Sequence, residues 1–557
     1  MGIANIFNTE WTYANRDKFI EKLKTEEFDL IVIGAGVTGA GVIREASLRG
    51  IKTALLDKND FAFGTSSRSS KLAHGGLRYL NYAEFKLVHE ACVERNWMRV
   101  DFPNLIRPDR FTMPGYKKGK DSVLKIWLAL LLYDLMSEVG TKFKNRGKRK
   151  YISKKKTLQE EPNLNPNGLR MAGQYFDNHV DDARLTVEII KESVATGYTT
   201  AVNYLEVCDY IVEDGKITGV HIVDNLTGTT FSILGKVFVN ATGIWTDELL
   251  RNYPRKLIRP TKGVHVMVPK ERVGNNHALV LRTIDDQRAY FVLDREKYTL
   301  IGTTDTDYTE DLDTPFCTKE DCDYLFRSVN HTFPNANLTY DDIISTYAGI
   351  RPLVREEGKS ESQVSRKHAL FETDDGLVTI AGGKLTTWRK MAEEVLYHIF
   401  KNNRLPKEIP KSELTKGYSM KPFLIGLERE DWDEFVKEKS PDLPSHTLDM
   451  LYQQYGKGAK RIIEYILQNP EVGKPFLEEC YFIPAEIHYI MQYEFAPRLI
   501  DILCRRTEIA IKVKHTQQRI VAEQVADIMA TYYNWNEETK SNELEHYMEY
   551  ISKTIWF

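Results

Sequence analysis

The sequence predicts an α/β protein in three parts: a discontinuous, doubly wound sheet domain, β-rich segments that cap it, and an α-helical C-terminal domain. Three observations predict this. Residues 28–57 read as strand, glycine-rich turn, helix and second strand. Apolar strands ending in small residues recur far downstream, at 236–240 and 376–380, each followed by helix-like sequence. Beyond about residue 411, Pro and Gly thin out, and Leu, Tyr, Ile, Glu and Lys recur at helical spacing through 445–550.

The first unit carries the most physics. Residues 28–33 (FDLIVI) are a short Ile/Val-rich run ending directly in glycines, as a strand buried in a parallel sheet does. Residues 39–49 read as a helix with small residues toward the sheet, and 52–56 as a second strand ending at Asp57. Such a βαβ unit requires a right-handed crossover and a Rossmann-like sheet. In GAGVTG, Gly34 permits the tight turn, Gly36 lets a pyrophosphate approach the backbone, and Gly39 lets helix and strand pack closely. The helix N-terminus then offers unsatisfied N–H groups to phosphate. Asp57, 23 positions after Gly34, is placed to accept from ribose hydroxyls and repels a 2′-phosphate, which argues against NADP.

This unit alone leaves FAD and NAD open. The turn Ala241-Thr242-Gly243 and the glycine-rich turn at 382–387 (GGKLTT) favour FAD. A flavin needs a second helix N-terminus for the negative charge that develops around N1 and O2.

Between these turns, residues 205–234 alternate as a β-meander, with turn signals at Asp214-Gly215 and Thr227-Gly228. A second strand-rich block covers 259–305, with period-two stretches at 264–268 and 289–293. Both are expected to form a separate sheet over the cofactor. The expected boundaries are an FAD-binding domain opening at 25–100, with 170–260 and 340–400 contributing. Capping segments are expected within 205–340 and a helical domain at 411–557.

Bulk composition excludes other classes. The 557 residues exceed one core, and 42% hydrophobic with 28% charged residues is globular. A net charge of -3 lacks the basic excess of a nucleic-acid binder, so no nucleic-acid partner is expected. The six cysteines are scattered; Cys317 and Cys322 have no His or second Cys pair beside them, so no metal site is expected, and reduced thiols fit a cytoplasmic location. The N-terminus lacks an apolar leader, and the most apolar stretch, 126–136, falls far short of the ~20 residues that span a bilayer.

Residues 65–80 read TSSRSSKLAHGGLRYL, directly after the Asp57 strand. In order there follow Asp181-Asp182-Ala183-Arg184-Leu185, residues 240–243, TKGVH at 261–265, GTTDTD at 302–307, GIRPL at 349–353, Ser365-Arg366 and AGGKLT at 381–386. This series resembles the FAD-dependent glycerol-3-phosphate dehydrogenases and the related glycerophosphate oxidases. The likeness covers about residues 25–400, more loosely the helical part, and is weakest at 107–175 and in the C-terminal tail. It implies an FAD domain, a capping sheet and a helical domain, with sn-glycerol 3-phosphate oxidised at C2 to dihydroxyacetone phosphate by hydride transfer to FAD. It also implies that Thr65, Ser66, Ser67, Lys71 and His74 lie along the FAD, with Arg78 and Tyr79 facing the active site. Val207, at the start of the meander, falls where the backbone meets adenine in such flavoproteins. Ala241, Thr242, Gly243, Gly383, Lys384, Leu385 and Thr386 complete the expected cofactor set.

A phosphate dianion calls for guanidinium donors, and Arg351 and Arg366 match the family's phosphate-clamp positions. An alcohol that loses hydride must also lose a proton, so a base and a positive charge are needed beside its oxygen. His265 in TKGVH and Lys384 in AGGKLT are the candidates. The expected division has Arg351 and Lys384 polarising the C2 oxygen and His265 taking the proton, with the two bases left to experiment.

Residues 142–156 hold nine Lys/Arg and no acid, which reads as a solvated loop or as a patch for anionic lipid. The neighbouring stretch 123–136 reads as a buried helix or an interfacial element. Together they suggest peripheral attachment to the inner face of the cell membrane and electron delivery to a quinone. Some oxidases of the family carry a long insertion after the GIRPL word, whereas here eleven residues separate Leu353 from Ser365, so the dehydrogenase is preferred over an oxidase that uses O2 and forms H2O2. An amino-acid oxidase and a non-catalytic membrane-associated flavoprotein are the other readings. A homodimer is the expected assembly.

Overall fold

The strand Phe28–Ile33, buried at every position but Asp29, lies inside an eight-stranded sheet. It runs parallel between Thr53–Leu56 and Thr230–Asn240, with Leu30 beside both Thr53 and Val237. Thr199–Val202 and Leu377–Gly382 extend the parallel set on either side, and His368–Glu372 closes one edge antiparallel. The expected discontinuous, Rossmann-like sheet is therefore present, gathered from three distant parts of the chain. The computed structural model describes every residue except 1–6, 8–9, 118–122, 140, 142–144, 146, 251–252, 255, 356–366, 403, 406–416, 418, 422, 424 and 555–557.

The pairing corrects the expected place of the meander. Leu205–Glu213 and Lys216–Asp224 form a hairpin, and the second pairs with the first half of Thr230–Asn240. The second half of that strand pairs with Phe28–Ile33, so the meander belongs to the nucleotide sheet and not to the cap. Period-two alternation reports a strand with one wet face; it carries no information about which sheet the strand joins.

The cap is a ten-stranded sheet built on Ile258–Pro269, flanked by Tyr298–Gly302 and Ser345–Val354. It also takes in Arg107–Tyr116, Lys150–Ser153 and Leu169–His179. Those strands, and Ser345–Val354, lie outside the expected limits of 205–340. The expected contributions of 170–260 and 340–400 to the nucleotide domain are thus corrected in part, because Leu169–His179 and Ser345–Val354 hydrogen-bond into the cap. From Arg429 onward the described elements are helical, packed around their own apolar cluster with Trp432, Leu451, Ile463, Ile490 and Val525.

The apolar stretch resolves as the helix Val123–Glu138 on the outside of the cap. Ile126, Leu130 and Tyr133 face inward, against Gly115 and Gly173, where a Cβ would meet Ile126 and Leu130. Its other face is also apolar and wet, with Leu124 74% and Trp127 44% exposed and Leu128 and Leu135 beside them. No helix among the described residues is long and apolar enough to cross a membrane.

Candidate functional site

Gly34 adopts φ +102°, which disfavours any residue with a side chain, and its N–H is donated to the Leu56 carbonyl at 2.8 Å. A Cβ on Gly39 would overlap the Gly34 carbonyl oxygen, so helix Val37–Ser47 can lie against the turn only because Gly39 is bare. Gly36 opens the helix, and Ser66 Oγ accepts the N–H of Val37 at 2.9 Å, tying the Ser-rich loop to the helix N-terminus.

An open cleft of about 1230 Å³, part of it continuous with solvent, runs from this turn across the sheet's C-terminal edge. Gly34, Gly36, Asp57, Thr65, Ser66, Val207, Ala241, Thr242, Gly243, Gly383, Lys384 and Leu385 line it, joined by Lys58, Glu206 and Trp245. Asp57 accepts N–H groups from Ala35 at 2.7 Å and Asn59 at 2.9 Å. Burial pushes its carboxyl up to about 7 against those hydrogen bonds. At the far end Gly382 and Gly383 take φ +77° and +95° and lead into the turn Leu385–Thr387 and the helix Trp388–Lys401. The expected second helix N-terminus is there. The cleft's glycine cradle and its two helix starts fit a dinucleotide.

A second cavity, about 940 Å³, shares Thr65, Ser69, Pro352, Gly383, Lys384 and Leu385 with the first. It gathers His74, Arg78, Tyr79, His265, Arg351 and Thr386 from four separate segments. Strand register explains the convergence. His265 stands opposite Gly302 on one neighbour and Tyr347 on the other, and Gly263 opposite Gly349. A Cβ on Gly302 would collide with the His265 ring, one on Gly263 with the Arg351 guanidinium, and one on Gly76 with the Tyr79 ring. The motif glycines are the spaces into which the working side chains fold.

The electrostatics sort those side chains. His265 is buried and its ring stacks on Tyr347 with centroids 4.7 Å apart. Its Nε2 lies 2.9 Å from Ser70 Oγ, while Nδ1 has no hydrogen-bond partner among the described residues. Burial, with the charges of Arg351 and Lys71, holds its pKa down at about 3. His74 is likewise held at about 3 by burial, Lys384 and Arg78. Both rings are neutral at pH 7. Arg351 donates to Asp305 at 3.0 Å, Thr303 Oγ1 at 3.0 Å and the Thr304 carbonyl at 3.1 Å, which fixes its plane. Arg78 donates to the Tyr79 hydroxyl at 3.3 Å. Lys384 Nζ is buried 3.8 Å from the Tyr79 ring centroid with no hydrogen-bond partner among the described residues. Burial lowers its pKa from the ordinary lysine value, and Arg78 lowers it further, against Tyr79.

Three of the expected residues that the structure describes do not line either cavity. Gly39 serves packing. Ser67 Oγ reaches the carbonyls of Phe63 and Gly64 at 3.4 Å. Lys71 is corrected from a cofactor contact to a buried ion pair with Asp182 at 2.7 Å, because three carboxylates behind the loop outcompete the cleft for its ammonium. Arg366 lies outside the described residues. Ser69, Ser70, Thr303 and Tyr347 line or brace the substrate cavity and were not singled out from sequence. Tyr347, Gly349 and Arg351 alternate along one strand face, a period-two signal that pointed to Tyr347 once Arg351 was chosen.

Gly302→Ala is expected to push the imidazole off Ser70 and slow substrate oxidation by roughly 10- to 100-fold. Bound FAD per chain should stay within about twofold of the parent, since the change lies outside the dinucleotide cleft. Rapid-mixing reduction and absorbance ratios check both.

Comparison with known proteins identifies the family. A family model described as FAD dependent oxidoreductase matches residues 29–389, and one described as the C-terminal domain of alpha-glycerophosphate oxidase matches 413–540. The aerobic glycerol-3-phosphate dehydrogenase of Bacillus subtilis is 35% identical over 554 residues, covering 97% of this chain and 98% of its own length. That of Staphylococcus haemolyticus is 36% identical over 542 residues, covering 94% and 95%. The solved glycerol-3-phosphate dehydrogenase of Bacillus halodurans, complexed with FAD, matches with a TM-score of 0.78 and 30% identity over 98% of both chains. The L-alpha-glycerophosphate oxidase of Mycoplasma pneumoniae shares the fold alone, with a TM-score of 0.53 and 18% identity over 70% of this chain and 99% of its own.

Proposed function

Since the chain belongs to the FAD-dependent oxidoreductases, we infer that it oxidises sn-glycerol 3-phosphate at C2, giving dihydroxyacetone phosphate. The observation that carries this reading is the convergence of Arg78, Arg351 and Lys384 on a cavity that opens into the dinucleotide cleft. When bound, FAD supplies the hydride acceptor at the Gly383 end of that cleft.

The chain's own groups do the rest. Arg351, held planar by Asp305 and Thr303, offers fixed positive charge to a phosphate or to alkoxide character at C2. Arg78 faces the same cavity beside Tyr79. Arg366 is retained as a phosphate ligand on its motif alone. We assign the hydroxyl proton to Lys384 in preference to His265. A base works best with a pKa near the working pH; burial brings Lys384 down toward that range and carries His265 far below it. His265 then serves as a neutral orienting group, with Nδ1 available to the substrate.

For the electron acceptor we propose a quinone. A third cavity of about 760 Å³ shares Leu72, His74, Arg78 and Phe291 with the substrate cavity. Leu77, Phe111, Met113, Val280 and, on helix Val123–Glu138, Ile126 and Ala129 make it apolar. The outer face of that helix leaves four large apolar side chains in water, forgoing roughly 1.5–3 kcal/mol each, which a membrane interface would recover. Of the basic stretch, 142–144 and 146 lie outside the described residues; Lys154, Lys155 and Lys156, directly after the cap strand Lys150–Ser153, are exposed. This face is proposed to rest on anionic lipid. Replacing Leu124 and Leu128 by Glu should weaken sedimentation with phosphatidylglycerol vesicles at least about tenfold and leave substrate-driven bleaching intact.

Anaerobic addition of glycerol 3-phosphate to the FAD-loaded protein tests the main reading. The yellow band should bleach with this substrate and not with glycerol, lactate or amino acids; a band that persists rejects the assignment. Mixing the substrate-bleached protein with oxygenated buffer or with a naphthoquinone then separates the acceptors, and peroxide formed at the turnover rate would favour the oxidase.

A further inference from the structure

The loop that brings Ser69 and Ser70 to the substrate cavity is braced from behind by the C-terminal helical domain. Ser69 donates its N–H to Asp182 Oδ2 at 3.0 Å, and its carbonyl accepts the Tyr347 hydroxyl at 2.9 Å. The other oxygen of Asp182 holds the Lys71 ammonium at 2.7 Å. Lys71, in the left-handed region at φ +53°, donates its own N–H to Ser69 Oγ at 3.0 Å. Behind it stands Glu508, with one oxygen 3.7 Å from Lys71 and the other 2.9 Å from Lys512. Lys512 reaches Glu296 of the cap at 3.3 Å. The same segment is pinned to the cap by Tyr298, whose hydroxyl donates to the Lys512 carbonyl at 2.6 Å, and by Ser345, which donates to the Ile511 carbonyl at 2.5 Å.

We propose that Glu508 is a positioning residue for substrate oxidation: through Lys71 and Asp182 it holds Ser69 and Ser70, so that Ser70 aims the His265 ring into the cavity. The proposal rests on the reading of that cavity as the site of glycerol 3-phosphate oxidation. Its physical basis is charge balance in a buried cluster. Asp181 and Asp182 are adjacent carboxylates that share one ammonium, and the position of that ammonium decides where Asp182 sits and hence where the Ser69 amide is drawn. Glu508 is the third carboxylate on Lys71 and the one that another domain supplies. Although burial works to raise its pKa, Lys512 and Lys71 hold it down at about 2, so the carboxylate is charged at every working pH. The C-terminal domain thereby fixes a catalytic loop it does not itself enter. A one-ångström shift of a reacting group is enough to cost rate without loss of fold.

The test is a double-mutant cycle on the FAD-loaded protein, with Glu508→Gln and Ser70→Ala, read as the rate of substrate-driven bleaching. Each single change is expected to slow bleaching about tenfold, and the double variant should be no more than about twofold slower than the slower single. Multiplying effects would overturn the proposal. A second reading is amide hydrogen exchange: Ser69 should exchange at least about tenfold faster in Glu508→Gln while Phe28–Ile33 stays protected. Unchanged Ser69 exchange would equally overturn it. Should Glu508→Gln not accumulate as holoprotein, Glu508→Asp, which keeps the charge and withdraws it from Lys71, enters the same cycle with the same two readings. A wild-type protein that glycerol 3-phosphate does not bleach defeats the functional reading, and the exchange measurement then judges the brace on its own.

Discussion

Lys384→Met is expected to slow substrate-driven bleaching about 10³-fold while leaving FAD bound, the largest loss of any single side chain in the substrate cavity. Met matches the length and apolar stem of lysine, so the packing against Tyr79 survives and only the amine is lost. The pH profile carries the sharper prediction. Burial lowers the pKa of Lys384, so the fraction present as free amine grows as pH rises and at each pH exceeds that of an ordinary lysine. The wild-type rate constant should therefore climb with pH to a plateau, and the climb should vanish in Lys384→Met. No inflection near the usual histidine value is expected, because His265 sits at about 3 and is already neutral throughout. His265→Ala should accordingly lower the rate and keep the climb. A climb lost in His265→Ala and kept in Lys384→Met would return the proton to His265.

Gly34→Ala is expected to yield protein without FAD. Two independent obstacles meet at this one position. The backbone is at φ +102°, and a Cβ would lie 2.7 Å from the Ala241 carbonyl oxygen, an atom of the facing turn that cannot withdraw without moving the Thr230–Asn240 strand. The cleft wall would have to open where the pyrophosphate is expected to pass. The ratio of visible to ultraviolet absorbance in purified protein should fall to the apoprotein value, and added FAD should not restore it. Gly215→Ala is the control: it too is left-handed, at φ +75°, but it lies outside the cleft lining and a Cβ there meets nothing within 4 Å. Backbone strain of about 1 kcal/mol without collision should leave most of the FAD in place.

Much of this was readable in the chain because it is local. The Gly34–Asp57 unit obeys rules of turn, helix start and strand end that span a few residues each, and the fold realises them within two residues. The words TKGVH, GTTDTD and GIRPL carry glycines among polar side chains, and the fold sets Gly302 against His265 and Gly263 against Arg351 on neighbouring strands. The period-two signal in 205–234 was also sound; only its destination was not. Lys71 stood in the right motif and went to the other side of its loop. Arg107–Tyr116 and Leu169–His179, in the part of the chain least like the family, turned out to be cap strands.

The sequence by itself determined the dinucleotide turn, the acid that follows it, the presence of helical and sheet domains, and the set of basic residues from which the proposed substrate site is drawn. Those follow from backbone geometry and hydrophobic period, which act over a few residues. Only the tertiary structure decided which sheet each strand entered, which ammonium met a carboxylate and which stayed unpaired. Lys71 and Lys384 both carry buried ammonium groups in matched motifs; three carboxylates surround the first, and an aromatic ring and a guanidinium stand beside the second. Chains of pairing that join residue 71 to residue 508 depend on where distant elements come to rest, and that placement is set by the packing of the whole core.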